Sequence, residues 1–228
     1  MSDLLEQAGL TPAQIQAVRD LLVEVPRQPR FVYPWDRLET TLTDGVQSLS
    51  VVGYGSLLNR SSSANTLSET ALAARRPVLA FGVLRLFNYD MDTVSGRYGP
   101  PVAAGPRAAL NARVTGQVRD VINGVLVPVS LSDVEPFRGR EVGYDLEPVP
   151  CLDWEQRGSL FVAYVLCSPD EPRAGKTRTS PELEPHRAYY DVCHRGAGEF
   201  GEKFLDFWLA STFLGDGVTP VAEWAAAR

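Results

Sequence analysis

Between Ser48 and Cys167 the chain is a succession of short apolar runs, each of strand length and each stopped by Gly, Pro or Asn. The runs are "SLSVVGYG", "RPVLAFGVLRLF", "AALNARVTG", "VINGVLVPVS", "GYDLEPVPCL" and "SLFVAYVLC". Their β-branched or alternating apolar content is that of strands with one or both faces buried. Six such runs in series predict a barrel or a strongly curved sheet. The pair Asn123-Gly124 reads as a hairpin turn between "RDVI" and "VLVPVS".

Helical segments flank this region and make the class α+β. Thr11 with Gln14 forms a capping box, Pro12 suits the first helical position, and Ile15, Val18, Leu22 and Val25 share a face. Pro26 and Pro29 end that helix, and "RQPRFVYPWDRLETTLTD" reads as an extended arm packed on the body. Its aromatics, Phe31, Tyr33 and Trp35, pack either on their own barrel or on a neighbour's. The expected division is residues 1–46 as N-terminal helix and arm, and 47–228 as a barrel domain with C-terminal helices. Tyr89 to Arg107 is Gly/Pro-rich and aperiodic, an irregular loop of a length often used for lids or binding loops. Near the C-terminus, Ser180-Pro181-Glu182 is a helix start signal, and Gly196 and Gly198 separate two segments. Phe200, Phe204, Phe207, Trp208 and Leu214 then recur at near-helical spacing as a core face.

Composition narrows the function classes. With 228 residues, 44% hydrophobic and 22% charged, the chain has the makeup of one large domain or a domain plus appendage. Its net charge of −6 is dispersed, with no basic run, which speaks against nucleic acid. No basic segment precedes an apolar core at the start, and no apolar run approaches the ~20 residues that cross a bilayer, so a soluble, cytoplasmic protein is expected. The three cysteines, Cys151, Cys167 and Cys193, lie in or beside apolar segments and read as buried thiols rather than a disulfide framework. His186, His194 and Cys193 reproduce no zinc-ligand spacing, and no metal is expected.

Two stretches carry chemistry. In "VVGYGSLLNR" a strand runs into a small-residue turn, whose successive backbone N–H groups form a concave site for a carboxylate or phosphate. It is neither of the glycine-rich nucleotide loops, since no G-x-x-x-x-G-K-[ST] is present and Leu58 stands where G-x-G-x-x-G needs its third glycine. G-x-S-x-G is absent around Ser56, and a Ser-His-Asp triad would have to recruit His186 or His194 from a helix. In "LSDVEPFRGREVGYDLEPV" there are two candidate acids. Glu135 has a structural explanation, as the fourth residue of a capping box that begins at Ser132. Glu141 has none: it ends a short helix, where a carboxylate opposes the helix dipole, directly before Gly143 and a new strand. A carboxylate at a disfavoured position is a candidate for function.

Tyr54-Gly55-Ser56-Leu57, the later "REVGYDLEPV", and "RPVLAFGVLRLFN" with the strands that follow it together resemble the gamma-glutamylcyclotransferase superfamily, including its glutathione-specific branch. The resemblance spans Val51 to Leu166 and, more loosely, the Tyr-bearing C-terminal helices. It implies a small closed mixed β-barrel flanked by helices and a reaction without cofactor. In that reaction the α-amino group of a γ-glutamyl compound attacks its own γ-carbonyl, closing 5-oxoproline and releasing an amine. It also implies that Glu141 acts as base and then acid, and that Tyr54, Gly55, Ser56 and Leu57 hold the glutamyl carboxylate. Tyr144 orients Glu141, lines the pocket or is a half-buried packing residue at the start of a strand; Tyr189 or Tyr190 closes the pocket or packs on the barrel. Arg85, in one strand with Asn88, pairs with the product carboxylate or Glu141, or sits solvated at the barrel rim.

Family members differ in the spacing from this Glu to the following Tyr, which keeps Glu135 as the alternative. The N-terminal helix and arm have no counterpart in the minimal family domain, and the leaving group is open among glutathione, γ-glutamyl amino acids and amines. The competing classes are a non-catalytic γ-glutamyl-ligand binding protein on the same fold and a Ser- or Cys-dependent hydrolase. The hydrolase needs a nucleophile paired with a base.

Overall fold

The run of strands closes on itself. In the computed structural model, which describes residues 4–91, 107–168 and 178–227, five strands form a barrel. Around it they stand in the order β1 (Ser48–Gly53), β5 (Val121–Ser130), β2 (Arg76–Phe81), β6 (Asp145–Asp153) and β7 (Phe161–Cys167). Neighbours are antiparallel except at the closure, where β1 and β7 run parallel through Val51–Tyr164 and Val52–Val165. Val51, Val52, Val78, Val125, Val127 and Val165 are fully buried, as β-branched residues on a barrel wall with both faces covered should be. A second sheet lies beside it in the order β8 (Glu184–Pro185), β4 (Arg107–Val114), β3 (Val83–Asp90) and β9 (Thr212–Leu214).

The helices are α1 (Leu4–Gln7), α2 (Pro12–Glu24), α3 (Leu38–Thr43), α4 (Arg60–Ala64), α5 (Glu69–Ala73), α6 (Val134–Arg140), α7 (Arg187–Gly198), α8 (Glu202–Ala210) and α9 (Val221–Ala226). α2 starts as the sequence predicts, with Thr11 and Gln14 in a reciprocal capping box. No helix among the described residues is long and apolar enough to cross a membrane. Cys151, Cys167 and Cys193 are buried thiols in no disulfide, as expected.

Several local expectations are corrected. Asn123-Gly124 makes no turn; β5 passes straight through it, pairing Asn123 with Leu79 and Gly124 with Val78. The Asn123 side chain is buried because it has interior partners: it donates to Phe204 O at 2.7 Å and accepts from Arg85. The run "RPVLAFGVLRLF" is two strands, parted at Gly82 (φ +73) so that β2 enters the barrel and β3 the second sheet. Arg85 is neither at a rim nor paired with a carboxylate. Fully buried, it donates to Thr212 Oγ1, Asn123 O and Oδ1, Trp208 O and Ser211 Oγ, tying β3 to β5 and to the end of α8. Burial pushes its guanidinium down to about 9, still charged at neutral pH.

The arm is not wholly extended, since it contains α3, whose Leu38 and Leu42 are buried. It packs on its own barrel: Phe31 exchanges backbone hydrogen bonds with Leu146 of β6, and Trp35 is fully buried. The first long C-terminal helix starts at Arg187, capped by His186, and not at Ser180. Thr179 bridges Tyr89 instead, and Glu184 and Pro185 pair with β4. Gly196 lies inside α7; the break before α8 is at Gly201 (φ +96). Thr212–Leu214 leaves the helical pattern to pair with β3, which needs an edge partner. Of the irregular loop, residues 92–106 lie outside the described part.

Candidate functional site

The turn after β1 is shaped by what packs on it. Tyr54 is buried, its hydroxyl donating to Leu166 O of β7 and its carbonyl accepting from Trp208 Nε1 at 3.3 Å. At Gly55 a Cβ would stand 2.5 Å from the Tyr189 hydroxyl of α7, so glycine is what lets that tyrosine lie against the main chain. Ser56–Leu58 forms a single 3-10 turn, and Asn59 caps α4 by accepting from Ser62 N at 2.9 Å. Among the described residues nothing accepts from the backbone N–H groups of Gly55, Ser56 or Leu57. A buried donor without a protein partner awaits water or a ligand.

Glu141 is delivered by α6. The capping box at the head of this segment joins Ser130 and Asp133, and Glu135 plays no part in it. Asp133 is the better acceptor there because it reaches both Ser130 and the backbone of Ser68. Glu135 points to solvent with its side chain 83% exposed, pairing with Arg138 at 3.6 Å. At the other end α6 stops at Arg140, and Glu141 is its C-cap, with N–H donating to Phe137 O at 3.0 Å.

The residue that organises the site is Arg140. Its side chain is almost fully buried, and its Nε donates to Glu141 Oε1 at 2.9 Å. Nη2 reaches Ser56 Oγ at 2.9 Å and Ser62 Oγ at 3.1 Å, while Nη1 reaches Ser62 O at 2.7 Å and Thr66 Oγ1 at 3.2 Å. One planar fork therefore holds the carboxylate on one side and the glycine turn on the other. Sequence reasoning missed it; the only signal was an arginine directly preceding the uncommitted glutamate.

Tyr144 lines the site. Its hydroxyl donates to Leu110 O at 2.8 Å, and its ring stacks on Tyr89, centroids 4.6 Å apart. Burial, with neighbouring phenols and Glu141 adding to it, pushes the Tyr144 hydroxyl well above its ordinary range. Tyr54 is raised likewise, burial first and the charges of Cys167 and Glu141 next. Both phenols stay neutral donors bound to carbonyls. Cys193 and Cys151 are equally quiet, since burial pushes Cys193 up to about 12 and raises Cys151 too, which removes at both positions the thiolate a Cys-dependent hydrolase requires.

Tyr54, Gly55, Ser56, Leu57, Glu141 and Tyr144 border one recess of about 30 Å³, together with Leu110, Leu166 and Tyr189. A cavity of about 540 Å³ adjoins it, sharing Ser56, Glu141, Tyr144 and Tyr189 and reaching on to Thr66, Tyr89 and Arg178. Glu135, Arg85 and Tyr190 border neither. Tyr190 packs against Trp224, Trp208 and His194.

No protein-family model matches the chain, and no curated protein matches it. Among solved structures it is similar to one named gamma-glutamyl cyclotransferase, with 13% identity over 72% of this chain and 88% of that one, TM-score 0.50. It is similar also to YkqA from Bacillus subtilis, with 14% identity over 74% of this chain and 55% of that one, TM-score 0.50. At such identity the likeness is one of fold: the barrel with its surrounding helices is the gamma-glutamyl cyclotransferase fold.

Proposed function

We propose that this chain, which has the gamma-glutamyl cyclotransferase fold, is itself a cofactor-independent gamma-glutamylcyclotransferase. The observation that supports it most is the meeting of Glu141 with the N–H groups of Gly55, Ser56 and Leu57 around one recess. A backbone cradle suits the glutamyl α-carboxylate. The α-ammonium beside it passes a proton to Glu141, and the freed amine attacks the γ-carbonyl of the same molecule. A C–N bond closes the five-membered ring, and Glu141 gives its proton to the departing nitrogen as the bond to that nitrogen breaks. The carboxylate then takes the second proton from the ring nitrogen and passes it to the released amine, which leaves as ammonium.

Nucleophile and electrophile belong to one molecule, so the protein's main task is to hold a folded substrate; effective molarities for such arrangements reach ~10⁵ M or more. The N–H groups of the turn also suit the oxyanion that develops on the γ-carbonyl. Arg140 has a positioning role: it aims the carboxylate while holding Ser56 of the turn.

The test is 5-oxoproline release, followed by mass spectrometry, from glutathione and a panel of γ-glutamyl dipeptides and amines. Wild type is expected to release it, Glu141→Gln to lose ~10²-fold or more, and Glu135→Gln to match wild type. Saturable binding of the panel without release by wild type would replace the enzyme with a binding protein on the same fold.

A further inference from the structure

The larger cavity holds a cation that the proposed chemistry does not use. Among the described residues its charged lining is Arg140, Glu141 and Arg178. Arg140 is matched by Glu141 at 2.9 Å. Arg178 makes no ion pair with any described carboxylate, and its guanidinium is nevertheless held in place. Its Nη1 donates to the Tyr89 hydroxyl at 2.7 Å, and that hydroxyl donates to Val142 O at 2.9 Å, one residue beyond Glu141. The Arg178 main chain is fixed too, its carbonyl accepting from Asp90 N at 2.7 Å.

Local backbone is shaped around this group. Gly143 has φ +85, and a Cβ there would stand 2.6 Å from Arg178 Nη1 and 2.8 Å from the Tyr89 hydroxyl. Glycine at this position both permits the left-handed turn and lets the arginine close on the loop that carries Glu141. A second cavity, about 410 Å³, which Arg178 also borders, is lined by Asp90, Arg107, Glu182 and Glu184, with Arg107 paired to Glu184 at 3.6 Å.

We propose that Arg178 recognises a carboxylate on the leaving amine, so that the preferred substrates release an amino acid or peptide rather than a simple amine. The inference rests on the cyclotransferase reading and adds to it the class of leaving group. With the glutamyl end in the backbone cradle and the scissile nitrogen at Glu141, the departing half extends into the larger cavity, where Arg178 is the cation that makes no ion pair with a described carboxylate. A half-buried guanidinium gives a carboxylate a charge-assisted contact, and its fork matches the two oxygens.

The experiment compares kcat/KM for γ-glutamyl-alanine and γ-glutamyl-ethylamide, which differ only in the carboxylate of the released amine. Wild type is expected to favour the alanine compound roughly 10- to 100-fold, the range of a hydrogen-bonded charge contact. Arg178→Gln is expected to bring the ratio near one, and Arg178→Lys, which keeps the charge without the fork, to restore part of it. Equal use of both compounds by wild type, or a ratio that survives Arg178→Gln, overturns the assignment while leaving the cyclotransferase reading standing. Turnover of neither compound by wild type, with no 5-oxoproline from glutathione either, overturns both.

Discussion

The indole N–H of Trp35 donates to the main-chain carbonyl of Tyr144 across 3.1 Å. Through it the N-terminal arm reaches the back of the loop that bears Glu141, while the Trp35 ring packs on Phe137 of α6, centroids 5.7 Å apart. Glu39 adds an ion pair to Arg138 of the same helix. Trp35→Phe keeps a ring in place but strips a buried carbonyl of its donor, a loss of about 1–3 kcal/mol. Trp35→Ala also empties the space and costs about 3–5 kcal/mol. Urea denaturation measures both. If the arm positions the loop, 5-oxoproline release by folded Trp35→Phe falls as well; an unchanged rate would confine Trp35 to the scaffold.

Gly55 and Tyr189 form a second coupled pair. A methyl group at Gly55 meets the Tyr189 hydroxyl at 2.5 Å, and this tyrosine is buried and hydrogen-bonded with Cys193, so it has little room to yield. Gly55→Ala is expected to cost about 1–3 kcal/mol, as overpacking does. Tyr189→Phe removes the obstructing oxygen, and the double variant should recover part of the loss. A double-mutant cycle measures the coupling, expected at about 0.5 kcal/mol or more; strict additivity of the two changes would show that the hydroxyl is not the obstacle.

How far such contacts are legible in a sequence depends on where their partners come from. The barrel strands announce themselves locally, because runs such as "VLVPVS" and "FVAYVLC" have no other way to bury both faces. Glu141 is equally visible, as a carboxylate that no helix cap explains. Arg140 is not: its meaning lies in Ser56, Ser62 and Thr66, which only the fold brings to it. Arg85 illustrates the same limit from the interior, since a lone arginine among apolar residues reads as a rim charge until Asn123, Trp208, Ser211 and Thr212 are seen around it. Asn123-Gly124 misleads for a related reason: turn chemistry is a local preference, and here interior hydrogen bonds to Arg85 and Phe204 outweigh it. α3 is hidden because "LETTLT" is rich in threonine, a weak helix former, and is held by burial of Leu38 and Leu42.

Asp133 gives the pH dependence a definite sign. Burial by itself would raise its carboxyl, but donors from Ser130 and Ser68 outweigh it and hold the group below the usual carboxylate value. Ser68 N lies at 3.0 Å and Ser130 Oγ at 2.6 Å, and together these contacts pin α5 and β5 to the start of α6. Because the unfolded chain takes up the proton more readily, the stabilisation is complete above the unfolded carboxylate range. It is lost as pH falls through the lower, folded value. Asp133→Asn keeps the shape but turns an amide NH₂ toward backbone and hydroxyl donors, and should cost about 1–3 kcal/mol at neutral pH. Urea midpoints for wild type and variant should begin to converge below about pH 4, the range of an unfolded aspartate, and continue to do so down to the lower folded value. A gap that stays constant down to pH 3 would show that the contribution of Asp133 does not come from its charge, and that α6 owes its anchorage to the burial of Val134 and Phe137 instead.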